Sequence, residues 1–145
     1  MKLGIILTPD ARSKAYLQKI LKNQIVINEI IFMNDNHSEK TYSEEEENES
    51  TNSGFDISES VITTLQNTKT QYKMFNFVDI NNHELIRYIS SLKLDFIIYA
   101  GGGILKQPIL NCGTKFVHIH PGIIPNYRGS TCFYYSIINE NKCGV

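Results

Sequence analysis

The sequence predicts an α/β protein built on an open, mostly parallel sheet. Two observations carry this. Short apolar runs rich in β-branched residues alternate along the chain with segments whose apolar residues recur at helical spacing. The runs are also apolar at successive rather than alternate positions, as expected of strands covered by helices on both faces. A chain of 145 residues, 41% hydrophobic and 20% charged, has the length and composition of one globular domain.

Leu3 to Leu7 is the first strand, closed by Thr8-Pro9-Asp10. From Asp10 to Asn23 the spacing of Ala15, Leu17, Ile20 and Leu21 is helical, with Asp10 as N-cap. Ile25 to Met33 is strand-like. Ile57 to Thr68 can form a helix, Tyr72 to Val78 alternates like a strand, and Asn81 to Leu94 puts Leu85, Ile86, Ile89 and Leu92 on one helical face. Asp95 to Ala100 is another buried strand, followed by Gly101-Gly102-Gly103 and a short apolar segment from Ile104 to Leu110. Lys115 to Ile119 is the last clear strand, and Thr131 to Asn139 reads as an aromatic-rich helix.

The net charge of −1 is unevenly distributed, because residues 34–60 hold nine acids against one base, Lys40. That stretch is rich in Asn, Ser and Glu and poor in large apolar residues, so it is expected to be a disordered, solvated insertion. The basic excess elsewhere forms no Lys/Arg cluster and does not point to nucleic acid. No apolar run is long enough for a membrane span, and the N-terminus meets an acid and a proline before any cleavage-like site, so a cytoplasmic protein is expected. Cys112, Cys132 and Cys143 have no paired spacing and are expected to be reduced.

Residues 101–145 hold seven of the nine glycines and all three cysteines. In open parallel sheets ligands bind beyond the carboxyl ends of strands, and two strand ends here are unusual. One runs into Gly101-Gly102-Gly103, which is either a tight turn or a backbone that a ligand approaches closely. A dinucleotide fingerprint is not present, since the first turn, Thr8 to Arg12, has no glycine. The other runs into His118-Ile119-His120, two imidazoles on one face of a strand. They could serve as a general acid or oxyanion donor, one could be a satisfied structural residue, or both could bind zinc if Cys112 and Cys132 converged on them, although no metal-ligand motif supports zinc. His37 and His83 read as surface residues. In the loop that follows, Ile123 and Ile124 lie between prolines and are either a packed anchor or a pocket wall. Arg128 either pairs with an anion or holds the loop.

The segment His120-Pro-Gly-Ile-Ile-Pro-Asn-Tyr-Arg-Gly-Ser-Thr131 closely resembles the active-site loop of the folate-dependent formyltransferases. The resemblance runs back through Ala100 to Leu105 and forward through Ile137 to Glu140, covering about the last fifty residues. It implies a Rossmann-like three-layer fold and a formyltransferase N-terminal catalytic domain over 1–145, with 34–60 as the insertion. It also implies transfer of a formyl group from 10-formyltetrahydrofolate to a primary amine, without a metal. On this resemblance His120 is the catalytic histidine that stabilises or protonates the tetrahedral intermediate. Gly102, Gly103, Ile104 and Leu105 cradle the pterin, Gly122, Ile123, Ile124 and Pro125 close over the folate, and Arg128 and Gly129 meet the acceptor. The acceptor is expected to be a small-molecule or nucleotide-sugar amine rather than methionyl-tRNA.

Two departures from the family pattern carry expectations of their own. His118 stands where the family usually has asparagine, and is expected to stay neutral and donate one hydrogen bond to the oxyanion. The family's aspartate lies beyond a strand that would begin at about Gly144-Val145. The domain is therefore expected to be truncated at its C-terminal end, to lack tight catalysis alone, and to be either completed by a second chain or a non-catalytic folate-binding remnant.

Overall fold

Eleven elements are seen in the computed structural model, which describes residues 1–34, 40–129 and 131–144. In chain order they are β1 (Leu3–Leu7), α1 (Ala11–Lys22), β2 (Glu29–Met33), α2 (Glu44–Asn52), α3 (Val61–Asn67), β3 (Lys73–Phe75), α4 (His83–Leu92), β4 (Phe96–Tyr99), α5 (Gln107–Leu110), β5 (Lys115–Val117) and α6 (Cys132–Glu140). The strands form one five-stranded sheet in the order β3-β2-β1-β4-β5, and each neighbouring pair is parallel.

The continuous apolar strands sort their side chains by the two-residue period. Ile5 and Leu7 of β1, with Ile30 and Phe32 of β2, join Leu17 and Ile20 of α1 and Val61 and Leu65 of α3 in one buried cluster. Ile6, Ile31 and Met33 point the other way and join Leu85 and Ile89 of α4, Ile97 and Tyr99. The sheet is thus sandwiched between helices, the three-layer α/β arrangement that the run pattern predicts. Gly4 lets Leu94 pack close to β1, since a methyl there would lie 2.7 Å from Leu94 Cδ1 and push that side chain aside.

Several elements are shorter than their apolar runs. The strand predicted from Ile25 starts only at Glu29, because Ile25 and Val26 lie exposed in the connection that follows the turn after α1. The helix predicted from Ile57 starts at Val61, where Ser60 caps it by accepting from Thr63 N. Asp10 caps α1 as expected, accepting from Ser13 N at 2.8 Å.

Within 34–60, where composition argues for disorder, residues 44–52 form α2. The local reason is a capping box, in which Ser43 Oγ accepts from Glu46 N while Glu46 accepts from Ser43 N, and four glutamates lie at the favourable end of the helix dipole. The segment is tied to α1 through buried Lys14, whose Nζ donates to Ile57 O at 2.8 Å and lies 4.9 Å above the Tyr42 ring. Gln18 adds a reciprocal pair with the backbone of Asp56. His37 lies outside the described residues.

Candidate active site at the carboxyl ends of β1, β4 and β5

Strand order reverses between β1 and β4: from β1 the chain winds outward to β2 and β3, then returns to β4 on the other side of β1 and continues to β5. Loops at such a switch point diverge to opposite faces and leave a crevice beyond the strand ends. A cavity of about 430 Å³ occupies that position, lined by Arg12, Tyr99, Gly101 to Leu105, His118, His120, Pro121 and Gly129.

The glycine triplet forms one wall. Gly103 has φ of +103°, a conformation that residues with a Cβ rarely adopt, and a side chain at Gly102 would project into open space. The wall is braced from two sides. The Tyr99 hydroxyl donates to Gly102 O, and Asn81 clamps the following residues by donating to Ile104 O at 3.0 Å and accepting from Lys106 N at 2.8 Å. Burial holds the Tyr99 hydroxyl above the usual tyrosine range. The Asp10 and Asp79 charges add to this and Arg12 opposes it, so the phenol remains a donor at neutral pH.

The two histidines face the same cavity with ring centroids 6.3 Å apart. Both are fixed by backbone carbonyls. His118 Nδ1 donates to Tyr99 O at 2.9 Å, and His120 Nε2 donates to Tyr127 O at 3.2 Å. Carbonyl oxygens only accept, so each of these nitrogens carries a proton. Cys132 agrees with this assignment: its thiol donates to Pro121 O at 3.0 Å and so turns a sulfur lone pair toward His120 Nε2, 3.4 Å away. In this tautomer the hydrogen of a neutral His118 is directed at Tyr99 O, and its Nε2 carries a lone pair.

Gly102, Gly103, Ile104, Leu105, His118, His120 and Gly129 are therefore brought together. Gly122, Ile123, Ile124, Pro125 and Arg128 do not line this cavity. Gly122 is buried, and a methyl there would lie 2.6 Å from Cys132 Sγ. Ile123 and Ile124 are 41% and 63% exposed, and the Ile124–Pro125 peptide is cis. Arg128 Nε donates to Pro125 O at 3.0 Å, the loop-holding option. Glu140 accepts from the Tyr127 hydroxyl at 2.8 Å, and neither imidazole bonds to a carboxylate among the described residues. Cys112 packs against the α4 side of the core, and among the described residues no three His, Cys, Asp or Glu side chains are grouped to hold a metal ion. No helix of the described residues is long and apolar enough to cross a membrane.

Sequence reasoning did not single out Arg12, Tyr99, Asn81 or Tyr127. Tyr99 had a usable signal, as the last residue of a buried strand before the glycine triplet. Asn81 acts on backbone 23 and 25 residues away and nothing local marks it, whereas Tyr127 lies inside the 120–131 segment but holds His120 only through its backbone carbonyl.

No protein-family model matches the chain. Over 66 residues it is 35% identical to a methionyl-tRNA formyltransferase of Finegoldia magna, a stretch that is 44% of this chain and 21% of that protein. Its fold matches the crystal structure of a phosphoribosylglycinamide formyltransferase from Anaplasma phagocytophilum with a TM-score of 0.60 and 14% identity, over 97% of this chain and 59% of the other. The matched stretch thus spans about a fifth of the curated relative. Over that stretch the chain is similar in sequence to a formyltransferase, and its fold is similar to that of a second one.

Proposed function

We propose that this chain carries the formyl-handling site of an enzyme that moves a formyl group from 10-formyltetrahydrofolate to a primary amine. The observation that carries the reading is the joining of His118 and His120 to the Gly101–Leu105 wall in one cavity at the switch point of the sheet. The wall suits a flat heteroaromatic ring. It has a glycine floor without side chains, apolar Ile104 and Leu105 beside it, and backbone polar groups for the ring edge. The folate would supply the activated formyl group, and the chain's own residues bind and orient it. His120, held through Nε2, offers a second N–H at Nδ1 when protonated, aimed at charge developing on the formyl oxygen. The acceptor is an amine of a small molecule or nucleotide sugar, entering from the side of Arg12 and Gly129.

A second reading, folate binding without turnover, is favoured by one observation. Among the described residues neither imidazole bonds to a carboxylate, and Glu140 is engaged by the Tyr127 hydroxyl. One experiment separates the two readings. Formyl transfer from 10-formyltetrahydrofolate to a panel of primary amines is followed by release of tetrahydrofolate, alongside binding of a non-reactive folate analogue. Transfer that falls by about 10²- to 10³-fold in His120→Ala, with analogue binding retained, supports the enzyme. Binding with no transfer by the unsubstituted chain supports the remnant, and absence of both refutes the two together.

A further inference from the structure

We infer that His118 and His120 work as a proton-transfer pair, with His118 Nε2 as the base that takes the proton of the attacking amine and His120 Nδ1 as the donor to the formyl oxygen. This deepens the proposed function and rests on it. The argument begins with the two carbonyls. Tyr99 O fixes a proton on His118 Nδ1 and Tyr127 O fixes one on His120 Nε2, each at hydrogen-bond distance. The rings are therefore locked in opposite tautomers. Each turns its other nitrogen away from its backbone anchor, and that nitrogen has no protein partner among the described residues. In their neutral forms both rings can only accept at those positions. Donation to an oxyanion needs a second proton on one ring.

The two rings face the same space with centroids 6.3 Å apart, so one protonated ring and one neutral ring can meet a single reacting centre. The chemistry needs both forms at once. As the amine nitrogen bonds to the formyl carbon, the carbonyl π pair moves to oxygen, where the protonated ring donates. The nitrogen becomes ammonium-like and passes its proton to the neutral ring. Collapse returns the pair to the carbonyl, breaks the bond to N10 of the folate and delivers that proton to N10, so the amine loses a proton and the tetrahydrofolate gains one. The 6.3 Å between ring centroids is a distance that one tetrahedral carbon, with oxygen on one side and nitrogen on the other, can bridge. His120 takes the donor role because its anchor nitrogen is held twice, by the Tyr127 carbonyl and by the Cys132 sulfur. Asparagine at position 118 could donate but could not carry a proton away, so the histidine there is a change of role.

Two measurements on the full chain test this. Long-range proton–nitrogen NMR reads the tautomers without any turnover. A neutral His118 is expected to show a protonated Nδ1 and a bare Nε2, and a neutral His120 the reverse. A proton on His118 Nε2 instead would overturn the pair. The second measurement is His118→Asn, expected to keep folate-analogue binding, to lower the transfer rate by about 10²- to 10⁴-fold and to recover partly with added imidazole. Undiminished transfer in His118→Asn would overturn the proposal while leaving the enzyme reading intact. Absence of transfer in the unsubstituted chain would overturn both.

Discussion

The β1–β2 side of the molecule and the β5–α6 side are held by different forces. β1 and β2 bury four of their five residues each and feed two apolar clusters. β5 is three residues long with Lys115 and Val117 exposed, and α6 buries only Cys132 and Ser136. The second region carries a set of backbone-directed hydrogen bonds, from His118, His120 and Arg128, and Asn81 makes the same kind of bond to the neighbouring glycine-rich wall. Apolar burial is non-directional and tolerates small shifts, whereas a carbonyl–imidazole bond fixes a particular nitrogen in a particular direction. Stability therefore resides mainly on one side and chemical orientation on the other.

The largest effect that tests this division is expected from Leu85→Ala on α4. Leu85 is fully buried among Ile6, Ile31 and Ile89. Removing it should cost about 2–5 kcal/mol by denaturant unfolding, from lost burial plus the cavity left behind. Where the protein remains folded, analogue binding at the switch-point cavity should be unaltered. A loss of binding larger than the loss of folded protein would break the division.

Asn81→Ala should give the converse result. The side chain bridges two loops, and its removal frees Ile104 O and Lys106 N. Because both groups can turn to water, the stability cost should be only about 1 kcal/mol. The wall from Gly102 to Leu105 loses its outer brace, however, so folate-analogue affinity should fall by about tenfold, equivalent to 1.4 kcal/mol. Titration and denaturation of the same variant measure both quantities. Equal losses in the two would mean that Asn81 is simply part of the scaffold.

The same division explains which parts could be read from sequence. The strands β1, β2 and β4 and the helices α1 and α4 follow from apolar periodicity, because each packs on a face that the period defines. The strand ends were less legible. Ile25 and Val26 continue the β-branched run but lie in an exposed connection after the turn, and periodicity carries no record of where the α1 C-cap leaves the chain. For α2 the composition of 34–60 pointed one way and the Ser43–Glu46 capping box the other, and among the described residues the local signal prevailed. At the site, the His-Ile-His spacing is enough to put two imidazoles on one face. Their tautomers depend on Tyr99 O and Tyr127 O, backbone atoms 19 and 7 residues away, which no side-chain pattern encodes.

The smallest effect is expected from Ile138→Ser on α6. Ile138 is 76% exposed, so little apolar area leaves contact with the protein when it is shortened. Isoleucine and serine have similar helix propensities, which removes the backbone as a source of difference. The cost should therefore stay within about 0.5 kcal/mol, although the residue is as apolar as those of the core. Ile137, Tyr134 and Tyr135 share this exposure along the helix, so one substitution samples a whole face. Denaturation at two protein concentrations is the informative measurement. A cost that is small at both means the face contributes nothing to the stability of the chain by itself. A cost above about 1 kcal/mol that grows with concentration would mean that copies cover the face in solution. The β5–α6 side would then be held by apolar burial after all, with the burying surface supplied by another molecule.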